Sequence, residues 1–185
     1  MNAMQVAQRV ASVFDEDGIP YGIGGALALS VWGAPRATKD VDISAFVDSA
    51  DLGRVLDSLE RAGVMLRRDD AVRGAARIGL FQGRLGKTTV DVFVSAHPQY
   101  IDMARRSRRV ADPTGQLMSF ISAEDLVLHK LLFGRHKDIG DLEALLAVRP
   151  LDLAYVRAWL LKMAPAGDRR FALLDDLERR FGPPT

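Results

Sequence analysis

Three aspartates are the residues of this chain best suited to do chemistry. Asp40 and Asp42 stand two residues apart in "KDVDIS", and Asp91 interrupts the apolar run "TTVDVFVS". On an extended strand, positions i and i+2 project from one face, roughly 6.6–7 Å apart. Two carboxylates so placed repel one another unless a cation lies between them. Hard oxygen donors of this kind suit Mg²⁺ or Mn²⁺. A solvent-facing strand side would carry the same pair with no function. Asp91 is the sharper signal, because aspartate is a poor strand former and here lies on the face opposite Val90 and Val92. If its strand neighbours the one carrying Asp40 and Asp42, three carboxylates converge. An arginine is the plainer partner for such a charge, and Arg77, on the neighbouring arm of an expected hairpin, is available for it.

Upstream, "YGIGGALALSVW" reads as a strand that runs through Gly24-Gly25 into a helix. Such a turn is one way to hold phosphate. Glycines let the oxygens approach the backbone, and the N–H groups of the helix start point at the anion. It is also how chains make an ordinary tight turn. Arg36 and Lys39 lie between the glycines and the aspartates and can neutralise phosphate oxygens. A dinucleotide fingerprint is excluded, since no third glycine stands near Leu27 and no βαβ repetition follows. A phosphatase of the Asp-x-Asp type wants an apolar strand leading into its first aspartate, whereas "PRATK" precedes Asp40. His97, His129 and His136 are scattered, and His129 reads as a packing or surface residue.

The elements that must position these residues follow from periodicity. Val6, Val10, Val13 and Phe14 recur at helical spacing, so a helix is expected from about Ala3 to Phe14. "YGI" and "KDVDISAFV" are strands. Ser49 and Asp51 cap a helix that turns Leu52, Val55, Leu56 and Leu59 inward and stops at Gly63. "AARIGLFQGR" and "TTVDVFVS" flank Leu85-Gly86-Lys87 as a hairpin. Residues 98–108 form a short basic helix, and "QLMSFI" a last strand. Beyond it the pattern is helical: Ser122 with Asp125 opens one helix, "DIGDLEALLAV" is a second, and Asp152 and Asp168 cap two more. The expected fold class is α+β, with a core over residues 1–112 and a helical C-terminal part over residues 113–185 packed on it.

Bulk composition narrows the function classes. The chain has 185 residues and no cysteine, which excludes disulfides, thiolate zinc sites and a cysteine nucleophile. Net charge is +1, so the whole molecule does not announce a polyanionic partner. No apolar run reaches about 18 residues, so no membrane partner is expected. The N-terminus reads as an amphipathic helix rather than a signal peptide, and the cytoplasm is the expected compartment. Residues 61–109 are locally basic, with ten arginines and lysines counted from Arg67 to Arg109. That segment is either a docking surface for RNA such as tRNA or a solvated face balanced by acids elsewhere.

Taken together, the glycine turn, the helix, Asp-x-Asp and the later Asp91 resemble the DNA polymerase β-like nucleotidyltransferase superfamily. The form "GGALALSVWGAPRATKDVDI" is most similar to the AbiEii-type, toxin-like nucleotidyltransferases. "SAEDLVLHKLLFGRHKDIGDLEALL" resembles that family's later helix, through Lys130, Arg135, Lys137, Asp138 and Asp141. The resemblance spans residues 21–146. It implies a small mixed β-sheet core with helices, and transfer of an NMP from an NTP to an acceptor with loss of pyrophosphate. It implies that Gly24 and Gly25 hold the triphosphate, with Arg36, Lys39, Lys130 and Arg135 around it. Asp40, Asp42 and Asp91 would be metal ligands for Mg²⁺ or Mn²⁺, and Asp91 the general base. Asp138 and Asp141 would orient basic residues. The implied partners are an NTP, an acceptor (RNA such as tRNA, a protein, or a small molecule such as an antibiotic) and a cognate antitoxin. A non-catalytic member that binds a nucleotide or a partner protein is the alternative, and the intact carboxylate trio favours the enzyme.

Overall fold

The computed structural model of the chain describes every residue except 95, 96, 113, 149 and 182–185. The fold is α+β. The strands are β1 (Tyr21–Ile23), β2 (Asp40–Ala45), β3 (Leu80–Leu85), β4 (Thr88–Val94), β5 (Arg108–Ala111) and β6 (Leu117–Phe120). They form one mixed sheet in the order β3-β4-β2-β1-β6-β5. β2 runs parallel to β4, and β1 parallel to β6; the other neighbours are antiparallel.

The chain divides into two compact units, Met1–Ala28 with Arg36–Ile121, and Leu29–Pro35 with Ser122–Thr185. In the first unit, α1 (Ala3–Glu16) starts at a capping box between Asn2 and Gln5, which satisfies two otherwise orphaned N–H groups. It buries Val6, Val10 and Phe14 completely, each side chain contributing about 1.5–3 kcal/mol. α1 packs on β2, β6 and α3 (Leu52–Arg61). Asp17, at the end of α1, accepts from Ser58 and pairs with Arg61 at 2.9 Å. These contacts cover the face of the sheet made by Val41, Ile43, Val90 and Val92, all fully buried.

Two elements differ from expectation. Residues 75–78, read as part of a hairpin arm, end α4 (Arg68–Ile78). Asp69 and Asp70 lie in its first turn and Arg77 in its last, and Gly79 terminates it at φ 67, an arrangement that complements the helix dipole. Arg77 therefore sits on a helix, not on the strand beside Asp91. The sheet also gains β5, whose exposed "RRVA" pairs with β6 and extends the edge. The basic helix is α5 (Pro98–Arg106). β6 hydrogen-bonds to both β1 and β5, so the sheet runs on past residue 112.

The second unit is helical. α6 (Ala123–Phe133) packs against α7 (His136–Val148), α8 (Leu153–Met163) and α9 (Arg169–Phe181). Leu126, Val127, Leu128 and Leu131 are buried around its circumference, as an enclosed helix requires. Tyr155 on α8 donates to Asp125 at 2.7 Å, and Ser122 caps α6 through the Asp125 N–H.

Two glycines inside helices carry opposite expectations. Gly140, in α7, has nothing near a would-be Cβ, whereas a Cβ on Gly74, in α4, would stand 2.5 Å from the Leu80 carbonyl oxygen. Denaturant unfolding should therefore show Gly140→Ala more stable by about 0.5–1 kcal/mol. Gly74→Ala should be destabilised by about 1–3 kcal/mol, because backbone must move. A stabilised Gly74→Ala protein would contradict the α4–β3 packing.

Candidate active site

The site is set by the parallel pairing of β2 with β4. Its register puts Asp40 beside Thr89 and Asp42 beside Asp91. β3 adds Gln82 opposite Asp91 and Arg84 opposite Thr89. Residues directly opposite share a face, as do positions i and i+2. Asp40, Asp42, Thr89, Asp91, Gln82 and Arg84 therefore occupy one side of the sheet, back to back with the buried valines and Ile43. This answers how Asp91 can interrupt an apolar strand: only the other face of that strand is core.

Asp42 and Asp91 are half-buried and Asp40 is exposed at the start of β2. Gln82 Nε2 donates to Asp91 Oδ1 at 2.7 Å, which fixes the orientation of that carboxylate from β3. Thr38 Oγ1 accepts from the Asp40 N–H at 3.2 Å and fixes the turn into β2. The three aspartates share a face, but among the described residues no three His, Asp or Glu side chains are gathered as a ready metal cluster. The carboxylate pair brought side by side by the register is Asp42 with Asp91. Asp40 stands one two-residue step away.

The Gly-Gly turn bears on the same pair. The Gly24 N–H donates to the Asp42 carbonyl at 2.8 Å, tying the end of β1 to β2. Gly25 opens α2 (Gly25–Val31) at φ +56, and a Cβ there would overlap Asp42 Oδ2. Gly25 is thus required twice, once by its left-handed backbone and once because the Asp42 carboxylate occupies the space a side chain would fill. Arg36 donates to the Ala37 carbonyl at 3.3 Å, and Lys39 is exposed.

In the second unit, Lys130 is buried, its ammonium bound to Asp141 and, at 3.5 Å, to Asp138. Arg135 donates from Nε to Asp138 at 2.9 Å. Burial raises the Asp138 carboxyl, but the hydrogen bonds and charge of Arg135 and the charge of Lys130 outweigh it and hold the group below the usual carboxylate range. Asp138 and Asp141, expected to orient basic residues, are the partners of Lys130, and Asp138 also of Arg135. Burial around the His129 ring pushes it down to about 4, so it is neutral at physiological pH, edge-on to Phe133. That is a packing role. Five of the ten basic residues in this run face acids: Arg67 and Arg73 pair with Asp70, Arg68 with Asp57 and Glu60, Arg105 with Asp102, and Arg109 with Asp15.

Gln82 is the site residue that sequence reasoning missed. The β3–β4 turn is two residues, Gly86 and Lys87, since Leu85 pairs with Thr88. A two-residue turn, rather than the three residues 85–87, would have placed Gln82 opposite Asp91 from sequence alone.

Residues 3–172 match the family described as nucleotidyltransferase of unknown function, DUF6036. The chain belongs to that family. Among curated proteins, no sequence match to the chain is found. Solved nucleotidyltransferases share the fold of this DUF6036 member. The antibiotic-resistance factor ANT(2'')-Ia superposes with a TM-score of 0.60 at 17% identity, over 97% of this chain and 100% of that one. An antigenic nucleotidyltransferase-like protein from Paracoccidioides brasiliensis gives 0.53 at 18% identity, over 97% and 88%. The lincosamide antibiotic adenylyltransferase LnuA, lincomycin-bound, gives 0.53 at 15% identity, over 80% and 99%. Among the described residues of the DUF6036 chain, no helix is long and apolar enough to cross a membrane.

The overlap at Gly25 can be isolated by comparison with Gly18, which has a similar φ of +64 but open space around it. Gly18→Ala should cost only the backbone strain of about 1 kcal/mol. Gly25→Ala should cost about 1–3 kcal/mol more, and that excess should shrink in an Asp42→Ala background, as a double-mutant cycle in denaturant would measure. Equal costs at the two glycines would contradict the packing of Asp42 against Gly25.

Proposed function

We propose that the chain is a metal-dependent nucleotidyltransferase that moves an NMP from an NTP to an acceptor hydroxyl. One observation carries this reading: the β2–β4 register sets Asp42 against Asp91, beside a glycine turn whose second residue makes room for the Asp42 carboxylate. Membership of a nucleotidyltransferase family supports it. A chain that only bound a nucleotide would gain nothing from two carboxylates held side by side, and their mutual repulsion costs stability.

The donor set fits a divalent cation. Asp42 and Asp91 are adjacent hard-oxygen donors, and Asp40 lies on the same face. When bound, Mg²⁺ or Mn²⁺ would offset the charge on the triphosphate and the entering and leaving oxygens. In the proposed step the acceptor hydroxyl oxygen forms a bond to the α-phosphorus of the NTP. The bond from that phosphorus to the bridging oxygen breaks, pyrophosphate leaves, and the hydroxyl proton passes to Asp91. Gln82 holds one oxygen of Asp91 and so aims the other. Backbone N–H groups from Gly25 onward, with Arg36 and Lys39, would receive the phosphates, while the Gly24 N–H holds the turn to the Asp42 carbonyl. Lys130 and Arg135 are already matched by Asp138 and Asp141, so we assign them to holding the second unit rather than to the nucleotide.

Structural kinship with LnuA, and with ANT(2'')-Ia in its complex with adenylyl-2''-tobramycin, supports a small-molecule acceptor by analogy of fold. The finer placement near AbiEii-type enzymes, with a toxin role and a cognate antitoxin, is supported by the order of the sequence motifs alone. Absence of cysteine suits a cytoplasmic setting. The test is incubation with each α-labelled NTP, Mg²⁺ and pools of small metabolites, RNA or protein. One pool should become labelled, and Asp42→Asn should abolish labelling while the protein stays folded. Full metal-dependent turnover by Asp42→Asn would sink the assignment.

A further inference from the structure

A cavity of about 440 Å³ lies along β3 beside the carboxylate pair, within the first unit. Gln82, Arg84 and Thr89 form its sheet wall, and Met65, Arg67 and Asp70 close it from the segment leading into α4. That segment is clipped to the edge strand by two hydrogen bonds, Met65 N–H to the Arg84 carbonyl and Arg84 N–H to the Met65 carbonyl, both 2.8 Å. Gly83 makes the close approach possible, because a Cβ there would overlap the Val64 side chain. Gln82 links the cavity to the chemistry, since this lining residue also donates to Asp91.

Charge and shape select the occupant. Among the described residues Asp70 is the cavity's one acid, and it is already bonded to both Arg67 and Arg73. Arg84 makes no ion pair and no side-chain hydrogen bond among the described residues. The lining is therefore electropositive, with an unanswered guanidinium whose planar fork suits phosphate or carboxylate. A polycation would meet the guanidinium groups of Arg67 and Arg84 there. Among the described residues no aromatic side chain lines the cavity, so they offer no platform for stacking a nucleobase. Its volume is that of a small-molecule site. Arg84 and Gln82 are separated by one two-residue step, roughly 7 Å along the strand.

We propose that this cavity is the acceptor subsite, and that it takes a small hydroxyl compound bearing an anionic group. The hydroxyl would sit at Asp91, and the anion at Arg84. This rests on the nucleotidyltransferase reading and adds the acceptor's chemical class. It departs from ANT(2'')-Ia, whose crystal structure is a complex with adenylyl-2''-tobramycin.

The test is binding rather than turnover. The full chain, ¹⁵N-labelled, is titrated with ribose 5-phosphate, ribose, tobramycin and a short oligoribonucleotide, and ATP affinity is measured separately with Mg²⁺. Ribose 5-phosphate should shift the amides of Gln82, Arg84 and Thr89, and ribose at least about tenfold less well. Tobramycin and the oligonucleotide should leave those amides unmoved. Arg84→Ala should weaken ribose 5-phosphate about tenfold or more, the loss of one charge-assisted contact, with ATP affinity within about twofold of wild type. No response to ribose 5-phosphate up to about 20 mM, a range that covers weak binding, would overturn the proposal. So would tobramycin or the oligonucleotide binding at these residues, or an equal loss of ATP affinity in Arg84→Ala. Failure of the wild-type chain to bind ATP would instead count against the nucleotidyltransferase reading, and the ribose 5-phosphate result would still decide the charge preference of the cavity.

Discussion

The structure depends on one pairing, β2 against β4. Parallel neighbours set side chains of equal register next to each other, and the register here sets Asp42 next to Asp91. Like charges opposed across strands oppose folding. For unit charges 4–5 Å apart the repulsion is on the order of 3–4 kcal/mol at an effective dielectric of about 20. The chain offsets that cost from the other face, where Val41, Ile43, Val90 and Val92 are wholly buried. A parallel pair also needs a long crossover, and α3, α4 and β3 fill it. Residues that provide the core thus also force the two carboxylates together.

The glycine turn belongs to the same constraint. Gly24 hydrogen-bonds to the backbone of Asp42, and Gly25 yields its side-chain space to the Asp42 carboxylate. Phosphate approach is the usual argument for glycines between a strand and a helix. Here the first demand comes from inside the protein, from a carboxylate that must stand close to the turn. Gln82 then fixes the other carboxylate from the opposite side. Asp42 and Asp91 are each held by a neighbouring strand or turn, as a preorganised site requires.

Much of this was legible in the sequence. Alternation around Asp40 and Asp42, and one charge within Val-Asp-Val, was enough to expect two strands sharing a face, because period-2 patterning reports directly on burial. The helices around Val10, Leu56 and Leu128 were legible for the same reason at period 3.6. The β5 strand was not, since "RRVA" on an exposed edge carries little burial signal. α4 was hidden by its small and charged residues, with Ala71 alone buried. Lys130 shows a different limit. The enclosed helix was readable and so was the need for an anionic partner, but Asp138 and Asp141 lie on another helix, and helix-to-helix pairing is not written in local periodicity. Asp40 shows another: a shared face was readable, yet the shared face did not by itself gather three carboxylates.

The central claim is that Asp42 and Asp91 form one cation-binding pair because β2 and β4 are in this register. Titration of the metal-free chain with Mn²⁺, followed by the electron paramagnetic resonance of the free ion, tests it without any substrate. The account predicts binding to the wild-type chain, a loss of at least about tenfold in affinity for both Asp42→Asn and Asp91→Asn, and no change for Asp102→Asn on α5. Wild-type Mn²⁺ affinity in either of the first two variants would contradict it.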